Sequence, residues 1–449
     1  MRRLLSISFV GLCLSAFGWK TEPGVRAADT PAQPRWPLVY ADDFESGKAD
    51  YWQPTDAKAW KVTEQDGNHF YSLFAKSQYK PPVRSPYNVS LLKNFVVGSF
   101  QLDVLVRSTC RDYPHRDVCV FFGYQDPSHF YYVHIAKRAD HHANNIFIVN
   151  GAPRKAIAAR TTKGTEWDDQ WHQVRILRDV TSGKIEVYFD DMSKPIMTAT
   201  DKTFTWGQVG LGSFDDTADF DEFHLYGEKL KRGENNIPPE GFVALFNGRD
   251  LTGWKGLVGN PKTRAKMSPK ELAEAQKKAD EEMRKHWKVV NGVLVFDGKG
   301  KSLCTVKDYK DFELWVDWKI EPHGDSGIYL RGSPQVQIWD PNDHGGIGSG
   351  GLFNNKKHPS KPLVRADKPI GQWNRFFIRM VGDRVTVYLN GKLVVDNVVM
   401  ENYWERNKPI YRSGQIELQS HHTPLYFRNI FIRELPSKDE GSEGKDKKH

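Results

Sequence analysis

Residues 414–433 read GQIELQSHHTPLYFRNIFIR. In the first half of this stretch Ile416 and Leu418 are apolar, while Gln415, Glu417, Gln419 and His421 are polar or charged. A period of two predicts a β-strand with one buried face and a line of hydrogen-bonding and titratable groups on the other. That second face fits a solvated outer strand or a binding surface.

Similar strand-like runs recur from Trp36 to about Gly227: FQLDVLV, VCVFFGY, FYYVHIA, NIFIVN, HQVRILR, KIEVYF and FDEFHLY, separated by Gly, Pro, Asn and Asp. Many short strands at regular spacing predict a β-sandwich. The second half repeats the first. WHQVRILRDVTSGKIEVYFDD (171–191) matches WNRFFIRMVGDRVTVYLNG (373–391), and GQVGLGSFDDTADFDEFHL (207–225) matches GQIELQSHHTPLYFRNIFI (414–432) without a gap. We therefore expect an all-β chain of two tandem sandwiches, residues 36–230 and 241–435, joined by a charged, Pro-rich linker at 231–240. The low-complexity residues 436–449 read as a disordered tail. One helix is expected inside the second copy, over about 269–285. Ser268-Pro269-Lys270-Glu271 is a capping box with Pro at the first helical position, and Leu272, Ala279 and Met283 follow at helical spacing. It could cap a sheet edge or gate a site.

The repeat is an internal control on the polar face. In the ungapped match Glu417, Gln419 and His421 correspond to Gly210, Gly212 and Phe214, whereas Ile416 and Leu418 correspond to Val209 and Leu211. The scaffold survives without the polar side chains, which shifts them toward function. The first copy then reads as a binding or docking module.

Two further segments supply partners. In DSGIYLRG (325–332) alternation puts Tyr329 and Arg331 on one face, with Ser326 in the same motif. In QVQIWD (335–340) it aligns Gln335, Gln337 and Trp339, and Asp340 follows. The Gly-rich GGIGSGGLFNN (345–355) lacks the order of a phosphate loop and reads as a mobile binding loop. Planar amides, a guanidinium, a phenol and an indole suit a sugar, whose hydroxyls hydrogen-bond and whose apolar face packs on a ring. An imidazole at His421 adds a group that titrates near neutrality. Other clusters are weaker. Adjacent His421 and His422 would point to opposite faces of a strand. Asp42, Asp43, Glu45, Asp219 and Asp221 could hold a structural calcium, but a solvated acidic face is the simpler reading. Glu313, Asp317 and Glu321 read as decoration of one strand face.

Composition excludes some classes. The 449 residues carry a net charge of +8, spread along the chain, so no nucleic-acid footprint is expected. Arg2 and Arg3, the apolar Leu4–Phe17 run and Val25-Arg26-Ala27 form a signal peptide over residues 1–27, too short to span a bilayer. Export predicts an oxidising compartment, hence a disulfide between Cys110 and Cys119 across a hairpin, with Cys304 a buried core residue.

The segments GFVALFNGRDLTGWKG, DSGIYLRG, VQIWDP, GSGGLFNN, GQWNRFFIRMVGDRVTVYLNGKLVV and LQSHH with FRNIFIRE occur in order over 241–434. There the second copy resembles the 3-keto-glucoside lyase/3-keto-2-hydroxy-glucal hydratase family, also described as 3-keto-disaccharide hydrolase. The resemblance implies a concanavalin-like jelly roll for each copy, the first being a looser relative. It implies an enzyme acting on small-molecule 3-keto-glycosides, with a sugar 3-dehydrogenase as the expected upstream partner; the signal peptide makes the expected location exported, periplasmic or extracellular, with no membrane span. C2-proton abstraction and loss of the C1 substituent would give a 2-hydroxy-3-keto-glucal, which water can then hydrate. On that chemistry His421, Arg331, Glu417 and Asp340 are the catalytic candidates, His421 as base or acid and Arg331 for the enolate. Tyr329, Gln335, Gln337, Trp339, Gln419 and Ser326 are the substrate-binding candidates. No cofactor is called for; a divalent metal is the alternative to Arg331 at the enolate. His422 departs from the Gly that related sequences carry. The competing readings are a non-catalytic carbohydrate-binding protein with two lectin-like modules and a conventional glycoside hydrolase. The latter needs a carboxylate pair that no motif here marks.

Overall fold

The structure is a computed structural model that describes residues 34–436. The expected signal peptide, and the expected tail apart from Pro436, lie outside the described residues. Among the described residues no helix is long and apolar enough to cross a membrane.

Two β-sandwiches follow one another along the chain. The first packs a nine-stranded sheet on a seven-stranded one, and the second an eight-stranded sheet on a five-stranded one. The larger sheets share one strand order. In the first copy it runs Trp60–Gln65, Asn68–Leu73, Ala218–Lys229, Val97–Ser108, His172–Arg178, Lys184–Phe189, Met197–Thr200. In the second it runs Trp287–Val290, Val293–Asp297, Pro424–Glu434, Phe312–Ile320, Asn374–Val381, Arg384–Leu389, Lys392–Val399. The smaller sheets correspond as well. Trp254–Gly256, Leu303–Thr305, Glu417–Leu418, Asp325–Leu330 and Ser333–Trp339 repeat the order of Trp52–Pro54, Asn88–Leu92, Gln208–Ser213, Asp117–Asp126 and His129–Ala136.

Alternation explains how each sheet contributes to its core. Phe312, Leu314, Val316, Trp318 and Ile320 point inward from the eight-stranded sheet and meet Ile328, Leu330, Val336, Ile338, Ile416 and Leu418 from the five-stranded one. Intervening Glu313 and Asp317 are not loose decoration. They are buried on the outer face and paired with Arg433 and Arg375. The first copy repeats the second of these pairs as Asp103 with Arg175.

The helix spans Pro269–His286 and opens with the expected capping box of Ser268 and Glu271. A one-turn helix, Pro261–Arg264, precedes it. The long helix covers an edge. Asp280 Oδ1 accepts from Gly256 N at 2.9 Å, and Gln276 Nε2 donates to Gly256 O at 2.8 Å. These bonds occupy the free side of strand Trp254–Gly256, where an open edge would invite another chain. Around Asn236, the segment expected to be a linker is tied to the second sandwich. Asn236 and Asn429 each donate a backbone N–H to the other's side-chain oxygen, at 2.8 and 2.7 Å.

The expected Cys110–Cys119 disulfide is not formed, and both thiols are free. The strands before and after the turn, Val97–Ser108 and Asp117–Asp126, lie in different sheets rather than in one hairpin. Each thiol is engaged by a carboxylate, Cys110 by Asp216 and Cys119 by Asp117. The acidic groups considered for calcium form no ligand cluster among the described residues. Asp42 accepts from Tyr40, Phe44 and Trp52, Glu45 from His69, Asp219 from Arg107 and Asp221 from Asn68.

Candidate active site

The polar face of the opening stretch is not a solvated strand. Glu417 is 3% exposed, and Gln415 is buried as well. Ile416 and Leu418 fill the core on the other side. Glu417 lies between Cys304 and Tyr329 on the neighbouring strands, so the three form one row across the outer face of the five-stranded sheet. Cys304 is therefore buried beside the carboxylate rather than in the core. One step along the sheet, Gln419 N donates to Gly327 O at 2.9 Å, and Gly327 pairs with Gln337. One step further, Asp325 pairs with Trp339, and the Asp325 carboxylate faces His421. Residues two apart on a strand are about 6.6 Å apart, so this floor is about 13 Å long.

Gly327 makes room for the Gln335 side chain, since a Cβ there would stand 2.3 Å from Gln335 Cγ. Over it runs a continuous hydrogen-bond chain. Asn354 Nδ2 donates to Gln335 Oε1 at 2.9 Å, Gln335 Nε2 to Gln337 Oε1 at 2.9 Å, and Gln337 Nε2 to Asp325 Oδ1 at 2.8 Å. The other carboxylate oxygen of Asp325 is 3.4 Å from His421 Nδ1. Burial pushes the Asp325 carboxyl up, and His421 and the Gln337 bond pull it back. His421 sits at the rim with 54% of its side chain exposed. Among the described residues Gln415 Oε1 and Gln419 Oε1 are buried acceptors without a protein donor. Buried acceptors are normally satisfied, so both have the capacity to accept a hydrogen bond from a hydroxyl.

Glu417 is the most perturbed acid of this face. Burial raises its pKa to about 7, with the Arg264 guanidinium working against the rise. Arg264 comes from the one-turn helix of the insert. A Cβ on Gly332 would lie 3.5 Å from Glu417 Oε1 and 3.5 Å from Arg264 Nη2, so these two atoms are within 7 Å of each other. Arg264 Nη1 is anchored on Val258 O at 2.9 Å. Tyr329 is raised by burial and by the charge of Glu417, which keeps its hydroxyl a donor. Trp404 Nε1 donates to Gly332 O at 2.7 Å and stacks edge-on against Tyr403, closing the wall beside Tyr329.

Three expected site residues are placed elsewhere. Arg331 takes a left-handed φ of 55° just past a register shift in the strand. Its buried guanidinium bonds Asp311 Oδ1 at 2.7 Å and the carbonyls of Gly382 and Tyr411. The alternation that would have put it beside Tyr329 is broken there. Ser326 is fully buried, and its hydroxyl donates to Gln419 O at 2.8 Å. Asp340 organises a loop: burial raises its carboxyl, but the amides of Asn342 and His323 bring it below the usual range. Trp339 reaches the floor under cover, with His344 stacked on it at 4.4 Å and Phe353 edge-on at 5.1 Å. The Gly-rich loop is tied down rather than free. Gly350 N donates to Gln337 O, and Gln337 N to Gly351 O, along the edge of strand Ser333–Trp339. His422 adopts φ 59°, a left-handed geometry that Gly takes most readily. It lies beyond the end of the strand, so alternation does not govern where the two rings point.

Sequence reasoning missed Asp325 and Arg264 as members of this group. Asp325 stood inside the DSGIYLRG motif, two residues before Gly327, and alternation alone would have put it on the polar face. Arg264 gave no such signal, because it comes from an insert about 150 residues before Glu417.

Residues 241–433 match the family model of the 3-keto-alpha-glucoside-1,2-lyase-like domain. The chain is similar to a 3-keto-disaccharide hydrolase of Bacteroides thetaiotaomicron, 22% identical over 290 residues that take in 51% of this chain and 92% of that protein. Among solved structures it is similar to a protein of Parabacteroides distasonis provisionally described as a glycosyl hydrolase, with 26% identity, 44% of this chain and 85% of that one covered, and a TM-score of 0.34. It is also similar to a carbohydrate-binding module of Bacillus subtilis, with 16% identity, coverage of 39% and 96%, and a TM-score of 0.29. The second sandwich, residues 241–433, thus carries the match to the 3-keto-alpha-glucoside-1,2-lyase-like domain, and these similarities support a carbohydrate-active enzyme.

Proposed function

We propose that the second sandwich cleaves 3-keto-glycosides on the outer face of its five-stranded sheet, with Glu417 as the base. A ketone at C3 acidifies the C2 proton. The Glu417 carboxylate takes that proton, and the C2–H electron pair forms the enolate across C2 and C3. The enolate then reforms the ketone as C1=C2 forms and the C1–O bond breaks, its electrons leaving on the departing oxygen. That oxygen takes up the proton that Glu417 has accepted, while the Asp325–His421 pair holds the far end of the substrate. Addition of water at C1 of the 2-hydroxy-3-keto-glucal completes a net hydrolysis.

The observation that carries this reading is Glu417, a carboxyl 3% exposed whose pKa lies about 7. A base works best when its pKa is near the operating pH. A cation near it favours the developing negative charge, and Arg264 takes the role expected of Arg331. The matched family and the similarity to a 3-keto-disaccharide hydrolase support the substrate class. On this reading the enzyme is exported and fed by a sugar 3-dehydrogenase acting upstream.

The test is incubation with a 3-keto-disaccharide beside its unoxidised parent, following enone absorbance and released sugar. Cleavage of the 3-keto compound alone supports the reading. Binding of both without cleavage of either refutes it and leaves a carbohydrate-binding protein.

A further inference from the structure

The first sandwich carries a group of residues at the place that corresponds to Asp325, Gly327 and Gln337. Register fixes the correspondence. Gly210 pairs with Phe121 as Glu417 pairs with Tyr329, and Gly212 pairs with Cys119 where Gln419 N bonds Gly327 O. Two residues earlier, Asp117 takes the place of Asp325. Across the next strand His134 pairs with Cys119 as Gln337 pairs with Gly327. The relay of the second copy is thus replaced by Asp117, Cys119 and His134.

We propose that Asp117, Cys119 and His134 bind a transition-metal cation of the zinc class. The three ligand atoms lie within 4.8 Å of one another, and the side chains are all buried. Among the described residues Asp117 Oδ1 and His134 Nε2 make no hydrogen bond, although the residues are 1% and 4% exposed; His134 Nε2 has Asp117 Oδ2 at 3.3 Å. His134 Nδ1 is 3.0 Å from His142 O, so it carries the proton and leaves the Nε2 lone pair facing Asp117 Oδ2. Asp117 Oδ2 also accepts from Phe214 N at 2.9 Å, and a cation between the two side chains would engage both the imidazole lone pair and the unbonded carboxylate oxygen. A backbone carbonyl holding the far ring nitrogen is the usual support of a metal-binding imidazole.

The spacing suits such an ion. Two ligands held tetrahedrally on arms of about 2.0 Å stand about 3.3 Å apart, and a thiolate with an oxygen about 3.5 Å. His134 Nε2 is 3.3 Å from Asp117 Oδ2, and Cys119 Sγ is 3.3 Å from the same oxygen. Asp215 is exposed beside the group, and it and Asp216 bring carboxylate oxygens within 4.8 Å of Asp117. That side offers an entry path and a fourth ligand from Asp215 or water. Asp216 is occupied by Tyr113, Cys110 and the Asp117 amide. The nearby cations are Arg154, stacked over Phe147 and Phe214, and Lys76, which acts on Asp215. Binding displaces the thiol proton of Cys119 to solvent, and the thiolate, Asp117 and Asp215 then outweigh these cations enough to hold a divalent ion.

Cobalt(II) titrated into the chelator-treated full chain tests this. The expected result is about one equivalent bound with tetrahedral d–d bands and a near-ultraviolet thiolate-to-cobalt charge-transfer band. Cys119→Ser removes the charge-transfer band, and His134→Gln weakens binding by at least about 10-fold. A Cys13→Ser/Cys110→Ser/Cys304→Ser variant, with Cys119 as its sole thiol, keeps the band and decides the question even if Cys119→Ser fails to fold. Absence of the band in wild type, or its loss in the variant that retains Cys119, overturns the proposal.

Discussion

Replacing Glu417 with Gln keeps the shape of the side chain and removes its charge. In the folded chain the Glu417 carboxyl is raised from 4.5 to about 7 by burial, with Arg264 pulling the other way. In the unfolded chain it titrates near the ordinary glutamate value of about 4.3. Below that value both states are protonated, and ionisation has no effect on stability. Between the two values the folded state holds a proton that the unfolded state has released, so stability falls as pH rises. Above about 7 the full penalty stands. The displacement corresponds to about 3 kcal/mol, since one pKa unit is about 1.4 kcal/mol. A glutamine has no such term. The stability of Glu417→Gln relative to wild type should therefore climb by about 3 kcal/mol between pH 4.5 and pH 8. Any lost packing or hydrogen bonding adds only a constant offset. Urea unfolding followed by tryptophan fluorescence across that range measures the difference. The same variant should lose about 10²–10⁴-fold in kcat/KM on a 3-keto-glycoside. A stability difference that stays flat with pH, or one that shrinks as pH rises, refutes the reasoning.

Asp325→Asn removes the carboxylate that faces His421 and should lower kcat/KM by at least about 10-fold with the fold intact by circular dichroism. Arg331→Met should act on stability instead, costing about 3–5 kcal/mol by leaving Asp311 buried without its partner; urea unfolding reads this, and KM of the folded fraction should not change. Gly327→Ala places a methyl 2.3 Å from Gln335 Cγ and should cost roughly 10²-fold in kcat/KM by displacing the amide relay. Thiol titration of residues 34–436 in denaturant and chelator, without reductant, should find three thiols; a count of one would mean that Cys110 and Cys119 are joined.

Much of the architecture was legible because a period of two is a direct consequence of the pleat. The two sandwiches, the repeat between them and the capped helix follow from local pattern. So does the shared face of Gln415, Glu417 and Gln419, since alternation holds while the strand stays regular. Arg331 shows where that logic fails. A register shift and a left-handed residue end the strand one step earlier, and the side chain turns to Asp311. Arg264 was invisible for a different reason: it reaches the site through an insert that docks by tertiary contacts. The cysteines misled because a turn-like segment between two strand-like runs reads the same whether the strands pair or pass to opposite sheets. Burial was the other missing quantity. Alternation cannot tell a wet polar face from a covered one, and only the covered one gives Glu417 its basicity.

The most direct test of Glu417 as the C2 base is exchange in deuterium oxide. A 3-keto-disaccharide is incubated with wild type and with Glu417→Gln, and proton resonance at C2 of the recovered substrate and product is followed. Wild type should introduce deuterium at C2 and release the aglycone sugar, while the variant should do neither. Exchange that persists in Glu417→Gln, or cleavage by wild type that is equally fast on the unoxidised parent, would contradict the account.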